Sequence, residues 1–121
     1  MTLTVKLVDL RNDSGRVACE LFSGPRGYPT EPKLALQRVS SPILSRQATC
    51  VFTELVPGAY AVAAFHDENG NGKLDTNFLG IPTEGVAASN DARGSFGPPA
   101  FDKAKLTIGT EDLAITVRVH Y

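Results

Sequence analysis

The chain has 121 residues, of which 42% are hydrophobic, and its twelve basic and thirteen acidic side chains leave a formal charge of −1. This length suits one domain with one core, so residues 1–121 are predicted to form a single domain. The balanced charge attracts neither nucleic acid nor anionic lipid, and no apolar run approaches the roughly 20 residues that cross a bilayer. We therefore expect no nucleic-acid binding and no membrane insertion. The alternating start, 1–7, does not predict a signal peptide, although a mature secreted domain would begin in the same way.

Alternation of apolar and polar residues predicts the first two strands. Leu3, Val5 and Leu7 share one face of an opening strand. The run 11–15, which holds Asx residues and a glycine, supplies turn chemistry, so a hairpin into the next strand is predicted. The inward face of that second strand carries Val17, Cys19 and Leu21.

The middle of the chain predicts two further strands. Residues 24–29 form a turn-rich loop, and 33–44 are compatible with either a strand or a helical turn. A strand from Ala48 to Leu55 directs Ala48, Cys50 and Phe52 to one face. A Val-Pro-Gly turn at 56–58 then leads into a strand of small residues, Tyr60 to His66, whose alanines indicate close packing by neighbouring elements.

The two cysteines, Cys19 and Cys50, lack the spacing of a zinc or thioredoxin-like site. Both lie on predicted inward faces of strands. They are compatible with a disulfide formed in an oxidising compartment, and equally with two buried thiols that act as small apolar side chains. The sequence leaves both alternatives open.

The last third of the chain begins with a long irregular segment, from Asp67 to about Ala100, of the kind that is usually functional rather than a simple connector. A short helical turn capped by Asp102 and a strand are predicted within 101–108. The final strand alternates clearly, with Leu113, Ile115, Val117 and Val119 on one face. The whole pattern predicts an all-β fold, an antiparallel β-sandwich of about seven strands.

The start of the irregular segment carries the chemically most distinctive motif. Oxygen-bearing side chains alternate over nine positions, as in the loop of an EF-hand, and a glycine stands at position six. Position seven contributes its backbone carbonyl. A hard cation such as Ca²⁺ needs six to eight oxygen ligands, and this alternation directs them to one centre. The predicted ligands are Asp67, Asn69, Asn71, Lys73 and Asp75.

This loop cannot complete a calcium shell alone, because position twelve is Phe78 instead of a bidentate glutamate. The remaining ligands are expected from Glu84, Asn90, Asp91 or water. Two formal charges predict weak binding, about 10⁻⁴ to 10⁻³ M. The alternative is a metal-free loop whose side chains hydrogen-bond to their own backbone in Asx turns.

Other motifs give little indication of catalysis. His66 adjoins the loop, but neither it nor His120 has a recognisable triad partner, and the sequence Gly94-Ser95-Phe96-Gly97 lacks a nucleophile elbow. No phosphate-binding glycine motif is present. Arg93 is compatible with recognition of an anion, and more simply with an ion pair to Asp91 or Glu84. We therefore expect no enzymatic activity.

Half of the chain resembles a bacterial family, domain-of-unknown-function family 2141. The resemblance is carried by four segments: PGAYAV (57–62), FHDENGNGKLDTNFLGIPTEG (65–85), SN (89–90) and GPPAF (97–101). It implies an exported, periplasmic or secreted protein with an immunoglobulin- or prealbumin-like (transthyretin-like) sandwich. It implies no established activity and no catalytic residues. The loop 67–75 and its continuation 78–84 correspond to a shared structural or ligand-binding element.

The sequence therefore predicts a non-catalytic binding or structural module of the bacterial envelope with a Ca²⁺ site at 67–75. Ion binding is expected to order the long loop and present it to a protein or glycan partner. The alternative is a metal-free module that binds protein, peptide or carbohydrate through the 77–100 surface, with Arg93 among its contacts.

Overall fold

A computed structural model of the chain describes residues 1–94 and 98–121. In these residues eight strands form two sheets, and the predicted all-β sandwich is confirmed. Helical structure is limited to α1 (Phe101–Ala104) and two 3-10 turns, Pro32–Leu34 and Ser89–Asp91. The strands are β1 (Leu3–Val8), β2 (Arg16–Phe22), β3 (Gln37–Pro42), β4 (Ala48–Phe52), β5 (Gly58–Asp67), β6 (Val86–Ala88), β7 (Leu106–Ile108) and β8 (Leu113–Arg118).

The smaller sheet has the order β4-β1-β8, and the larger has the order β3-β2-β5-β6, with β7 also paired to β5. Every pair of neighbouring strands is antiparallel except β1 and β8, which run parallel with Leu3 opposite Leu113. Beyond the end of β8, His120 forms a bridge with Val86 of the other sheet. This bridge joins the two sheets next to the end of the 67–85 segment, because Val86 directly follows it in the chain.

The main core lies between the sheets and follows from the alternation in the strands. Its members are fully or almost fully buried, and partly buried residues of β3 and β8 pack against them. Burial of apolar area on this scale is the dominant favourable term in folding. The largest fully buried side chains of this core include Leu3, Leu7, Leu21 and Phe52.

A second, smaller apolar cluster covers the outer face of the five-stranded sheet. Ala61 and Ala88 contact Ala104 of α1, and Tyr28 and Phe101 pack around them. The Phe22 and Tyr28 rings meet edge to face with centroids 5.2 Å apart. The alanines of β5 and β6 thus have the role that the sequence indicated, because small side chains let α1 lie close to the sheet.

Three predictions of local structure need correction or completion. The predicted β1–β2 hairpin is wrong, because β1 pairs with β4 and β8 while β2 lies in the opposite sheet. Each strand has one apolar face, and that pattern is the same whether two strands are neighbours or face each other across a core. The undecided segment 33–44 contains both a 3-10 turn and strand β3.

The predicted cap of α1 is also wrong. The N-cap is Ala100, which makes no side-chain hydrogen bond, and Asp102 lies inside the first turn of the helix. The Asp102 carboxylate lies 3.7 Å from the Lys105 ammonium, a contact between two exposed groups. Finally, none of the helices in the described residues is long and apolar enough to cross a membrane.

Candidate functional site

The candidate cation loop begins where β5 ends, at Asp67, and is held in place by the turn that precedes β2. Gly15 of that turn has a φ of +69°, and a Cβ built on it would lie 1.9 Å from the Asp67 carbonyl oxygen. Only glycine permits this close approach of two backbones. The turn at 11–15 and the first loop position are therefore packed as one unit.

Asx turns shape the coil of the loop. The side-chain oxygen of Asn69 accepts the Asn71 N–H at 3.2 Å, and that of Asn71 accepts the Lys73 N–H at 3.1 Å. The Asp67 Oδ2 accepts the Gly72 N–H at 2.8 Å, and Gly72 has a φ of +82°. The local hydrogen bonding of the Asx-turn alternative is therefore present, and it gives the loop its tight curvature.

The side chains at positions three and five both point to the carboxylate at position nine. Asn69 Nδ2 donates to Asp75 Oδ2 at 2.5 Å, and Asn71 Nδ2 donates to Asp75 Oδ1 at 2.7 Å. The alternation predicted that these three side chains would converge, and the structure brings them together. Their amide nitrogens, however, face the carboxylate, so a cation at this point would require both amides to rotate about χ2.

Glu84 connects the two ends of the loop by hydrogen bonds. It is 7% exposed, and its two carboxylate oxygens accept backbone N–H groups from opposite ends of the loop. Oε2 accepts from Glu68 at 2.8 Å, and Oε1 accepts from Asp75 at 3.0 Å. Hydrogen bonds of this charge-assisted kind are stronger than neutral ones, so Glu84 fixes the distance between the two loop ends.

One buried polar atom of the loop has no hydrogen-bond partner in the part of the chain that the structure describes. Asp67 is 6% exposed, and its Oδ1 accepts no hydrogen bond from the described residues. Because Oδ2 of the same carboxylate binds the Gly72 N–H five residues later, the carboxylate lies on the concave side of the coil. A buried carboxylate oxygen without a donor is costly, and such groups in native proteins usually have an ion, a water molecule or a functional role.

The second residue of the loop, Glu68, anchors it to the 11–15 turn. Its carboxylate accepts hydrogen bonds from the Arg11 guanidinium and from Asn12 Nδ2, the latter at 3.2 Å. Desolvation opposes ionisation of Glu68, but these donors outweigh it and lower the pKa of the carboxyl. No local pattern in the sequence indicates this contact, because Arg11 and Glu68 lie 57 residues apart in the chain.

His66 is fully buried beneath the loop, and its ring makes structural contacts. Nε2 lies 2.7 Å from the Ser14 carbonyl oxygen, and Nδ1 lies 2.7 Å from the Tyr121 hydroxyl. Because a carbonyl can only accept, Nε2 is the donor, and in the neutral ring Nδ1 accepts from Tyr121. The tyrosine hydroxyl in turn accepts the Arg11 N–H at 2.9 Å. His66 thus joins the first turn, β5 and the C-terminus.

Two of the additional ligands proposed from the sequence are engaged elsewhere. Asn90, with a φ of +62°, donates from Nδ2 to the carbonyl oxygens of Lys103 and Lys105. Asp91 Oδ1 accepts the Arg118 N–H at 2.8 Å. These contacts attach the 3-10 turn to α1 and β8. The structure therefore joins Glu84 to the loop but gives Asn90 and Asp91 other partners.

The ion pair predicted for Arg93 is also absent among the described residues. Asp91 and Glu84 both use carboxylate oxygens to accept backbone N–H groups, and Arg93 is exposed. Residues 95–97 lie outside the described residues. They include Ser95, which the sequence analysis considered and rejected as a nucleophile.

An apolar tip extends from the loop. It comprises Phe78, Leu79 and Ile81, which are 95%, 68% and 55% exposed. Asn77 braces it, because its Oδ1 accepts the N–H groups of Leu79 and Ile81 at 2.9 and 3.1 Å. Backbone bonds from Asn77 to Ile81 and from Gly80 to Asn77, each 2.9 Å, complete a tight hairpin. The apolar side chains therefore project from an ordered turn.

Comparison with known proteins identifies one family. The family model described as "Uncharacterized protein conserved in bacteria (DUF2141)" matches residues 5–116. No match was found among curated proteins or among solved structures. In the described parts, 1–94 and 98–121, no group of three or more His, Cys, Asp or Glu side chains is arranged to hold a metal ion.

Proposed function

The chain belongs to the bacterial DUF2141 family, and we propose that it is a non-catalytic binding or structural module of the cell envelope that holds a Ca²⁺-like cation in the 67–75 loop. The observation that carries this proposal is the buried Asp67 Oδ1, which has no hydrogen-bond donor among the described residues. A hard cation would satisfy this oxygen and offset the cost of its burial.

The other ligands would come from the same coil. Asp75 would supply a second carboxylate, Asn69 and Asn71 would supply amide oxygens after rotation about χ2, and Lys73 would supply its backbone carbonyl. Water would complete the six to eight oxygens that Ca²⁺ requires. Glu84 stabilises the site by accepting hydrogen bonds from the N–H groups of Glu68 and Asp75. With few formal charges, affinity is expected in the range of about 10⁻⁴ to 10⁻³ M, as in extracellular modules.

Calcium titration tests the site directly. For this range of affinity, 10 mM Ca²⁺ should raise the free energy of unfolding by roughly 1.4 to 2.7 kcal/mol relative to excess chelator. The double variant Asp67→Asn, Asp75→Asn should lose this increment, because it removes both charges while keeping similar shapes.

Asp91→Asn is the matched control. Asp91 was a candidate ligand from the sequence, but it binds the Arg118 N–H, so its variant should keep the response to calcium. Calorimetric titration should give the same ranking. Equal, negligible calcium uptake by the parent and the double variant would refute the cation site.

A second candidate function is a metal-free module that binds a protein, peptide or glycan through the 77–100 surface. The exposed tip Phe78, Leu79 and Ile81 favours it, because large apolar side chains held together on an ordered turn are typical of interaction sites. A panel of envelope proteins and glycans, probed in the presence of chelator, tests it. Binding should be lost when the three tip residues are changed to serine. It should be kept in Leu44→Ser, which alters a leucine elsewhere that is 80% exposed.

Placement in the envelope is part of the proposal and rests on the resemblance to exported bacterial proteins. Weak calcium sites are useful where calcium is millimolar, as outside the cytoplasm. Fractionation of bacteria that express the native gene should recover the protein from the periplasm or the medium. Recovery from the cytoplasmic fraction alone would contradict this part.

A further inference from the structure

The two cysteines meet inside the sandwich, although they belong to opposite sheets. Cys19 lies in β2 of the five-stranded sheet, where it is opposite Ala64 and Val39. Cys50 lies in β4 of the three-stranded sheet, opposite Val5. Both side chains are 0% exposed and belong to the same core cluster. Burial raises the pKa of Cys19, and the Cys50 side chain raises it further, so the two thiols are neighbours in the core.

The two strands that carry the cysteines lie close together in the fold. Strands β2 and β4 approach until Cα atoms lie within 8 Å of each other. A disulfide requires Cα atoms about 4.4 to 6.8 Å apart, so it can form only between strands that approach each other closely.

We propose that Cys19 and Cys50 form a disulfide across the sandwich when the chain folds in an oxidising compartment. The bond links the two sheets and closes a chain loop of roughly 30 residues, which restricts the unfolded chain. This inference rests on the positions of two core residues and is independent of the cation loop, so either can fail without the other.

The reaction is thiol–disulfide exchange with a small-molecule disulfide such as oxidised glutathione. One cysteine thiolate attacks a sulfur of the oxidant, forms a mixed disulfide and releases one thiolate. The second cysteine then attacks the protein sulfur, forms the Sγ–Sγ bond and releases the second thiolate. The two cysteine protons end on the two released thiols, and the two electrons reduce the oxidant.

Burial determines when this reaction takes place. Both thiols are shielded from solvent, and burial raises the pKa of Cys19, so the attacking thiolate is scarce in the folded protein. The bridge must therefore form while the sheets are coming together. Once it has formed, the same burial protects it from reductants.

Refolding from denaturant tests the proposal. In a glutathione redox buffer, the parent should refold to a monomer with no free thiols, counted after denaturation, and with a mass lower by two hydrogen atoms. Its Tm should exceed that of protein refolded with a reductant by on the order of 10 °C. Cys19→Ala and Cys50→Ala should each show no difference between the two buffers.

The contrary outcomes are distinct. A parent that refolds to the native sandwich in the redox buffer and keeps two free thiols would overturn the proposal. So would an oxidised product that is only a disulfide-linked dimer, or a monomeric one that has lost the native fold. Rapid oxidation of the folded, reduced protein by the same buffer would overturn formation during folding.

Discussion

Two glutamates show how differently the sandwich and the loop treat a carboxylate. Glu20, on β2, is 3% exposed, and one of its oxygens has no partner among the described residues. Burial raises its pKa to about 7, against the opposing effect of Arg38. Glu68, in the loop, resists desolvation because Arg11 and Asn12 hydrogen-bond to it, and its pKa is lowered. Burial in the sandwich therefore disfavours the charged form of a carboxyl, whereas hydrogen-bond donors in the loop favour it.

This contrast extends to what holds each region together. The sandwich is stabilised by apolar side chains packed between the sheets. The segment 67–85 buries few apolar groups, and carboxylates and asparagines hold it by hydrogen bonds to backbone N–H groups. Substitutions in the sandwich core should therefore destabilise the whole protein. Substitutions in the segment 67–85 should change local order and ligand binding.

The largest effect should come from comparing two phenylalanines. Phe52 is fully buried between the sheets, and Phe78 is 95% exposed at the tip. Phe52→Ala should lower the free energy of unfolding by about 3 to 5 kcal/mol, because it leaves a cavity in the core. Phe78→Ala should change it by less than about 0.5 kcal/mol. Urea denaturation measures both, and similar losses for the two variants would contradict the division into regions.

The next effect is the pH dependence that Glu20 gives to stability. Its pKa is about 7 in the folded protein, against an ordinary value of 4.5, so the folded state binds more protons between these values. Stability should therefore be greatest below pH 4.5 as far as this group is concerned, and should fall as pH rises through 7, by on the order of 3 kcal/mol.

Glu20→Gln should remove this decline, as measured by urea denaturation across pH 4 to 8. Glu68→Gln is the contrasting variant, because a lowered pKa contributes stability that is present at neutral pH and lost on acidification. A parent with no decline towards pH 7, or the same decline in Glu20→Gln, would contradict the burial of an unpaired carboxylate.

A smaller effect is expected at Glu84. In Glu84→Gln one oxygen still accepts a backbone N–H, but the new amide group is directed at the other, so the Glu68 or the Asp75 N–H loses its acceptor. The expected loss of stability is about 1 to 3 kcal/mol. Calcium uptake should weaken in parallel. Glu111→Gln, at an exposed site, should change neither.

The smallest effect should come from Asn77→Ala, which removes the acceptor for the Leu79 and Ile81 N–H groups. Because these groups are exposed to water, stability should fall by about 1 kcal/mol or less. Amide hydrogen exchange should nevertheless accelerate at Leu79 and Ile81, while the amides of β1 stay protected. Unchanged exchange at the tip would mean that the backbone alone orders it.

The amino-acid sequence by itself determined which residues alternate, and thus the all-β class, the inward faces of β1, β2, β4 and β8, and the family. It also indicated that Asn69, Asn71 and Asp75 would converge, because this depends on local spacing within a tight coil. These features arise from interactions between residues close in the chain.

Only the tertiary structure decided which strands are neighbours and which groups close the loop. An apolar face has the same pattern in a hairpin and in a pair of facing sheets, so the separation of β1 from β2 could not be read from alternation. The contacts of Glu68 with Arg11, of His66 with Ser14 and Tyr121, and between the two cysteines join residues far apart in sequence. Such contacts depend on how the sheets pack, which no local pattern specifies.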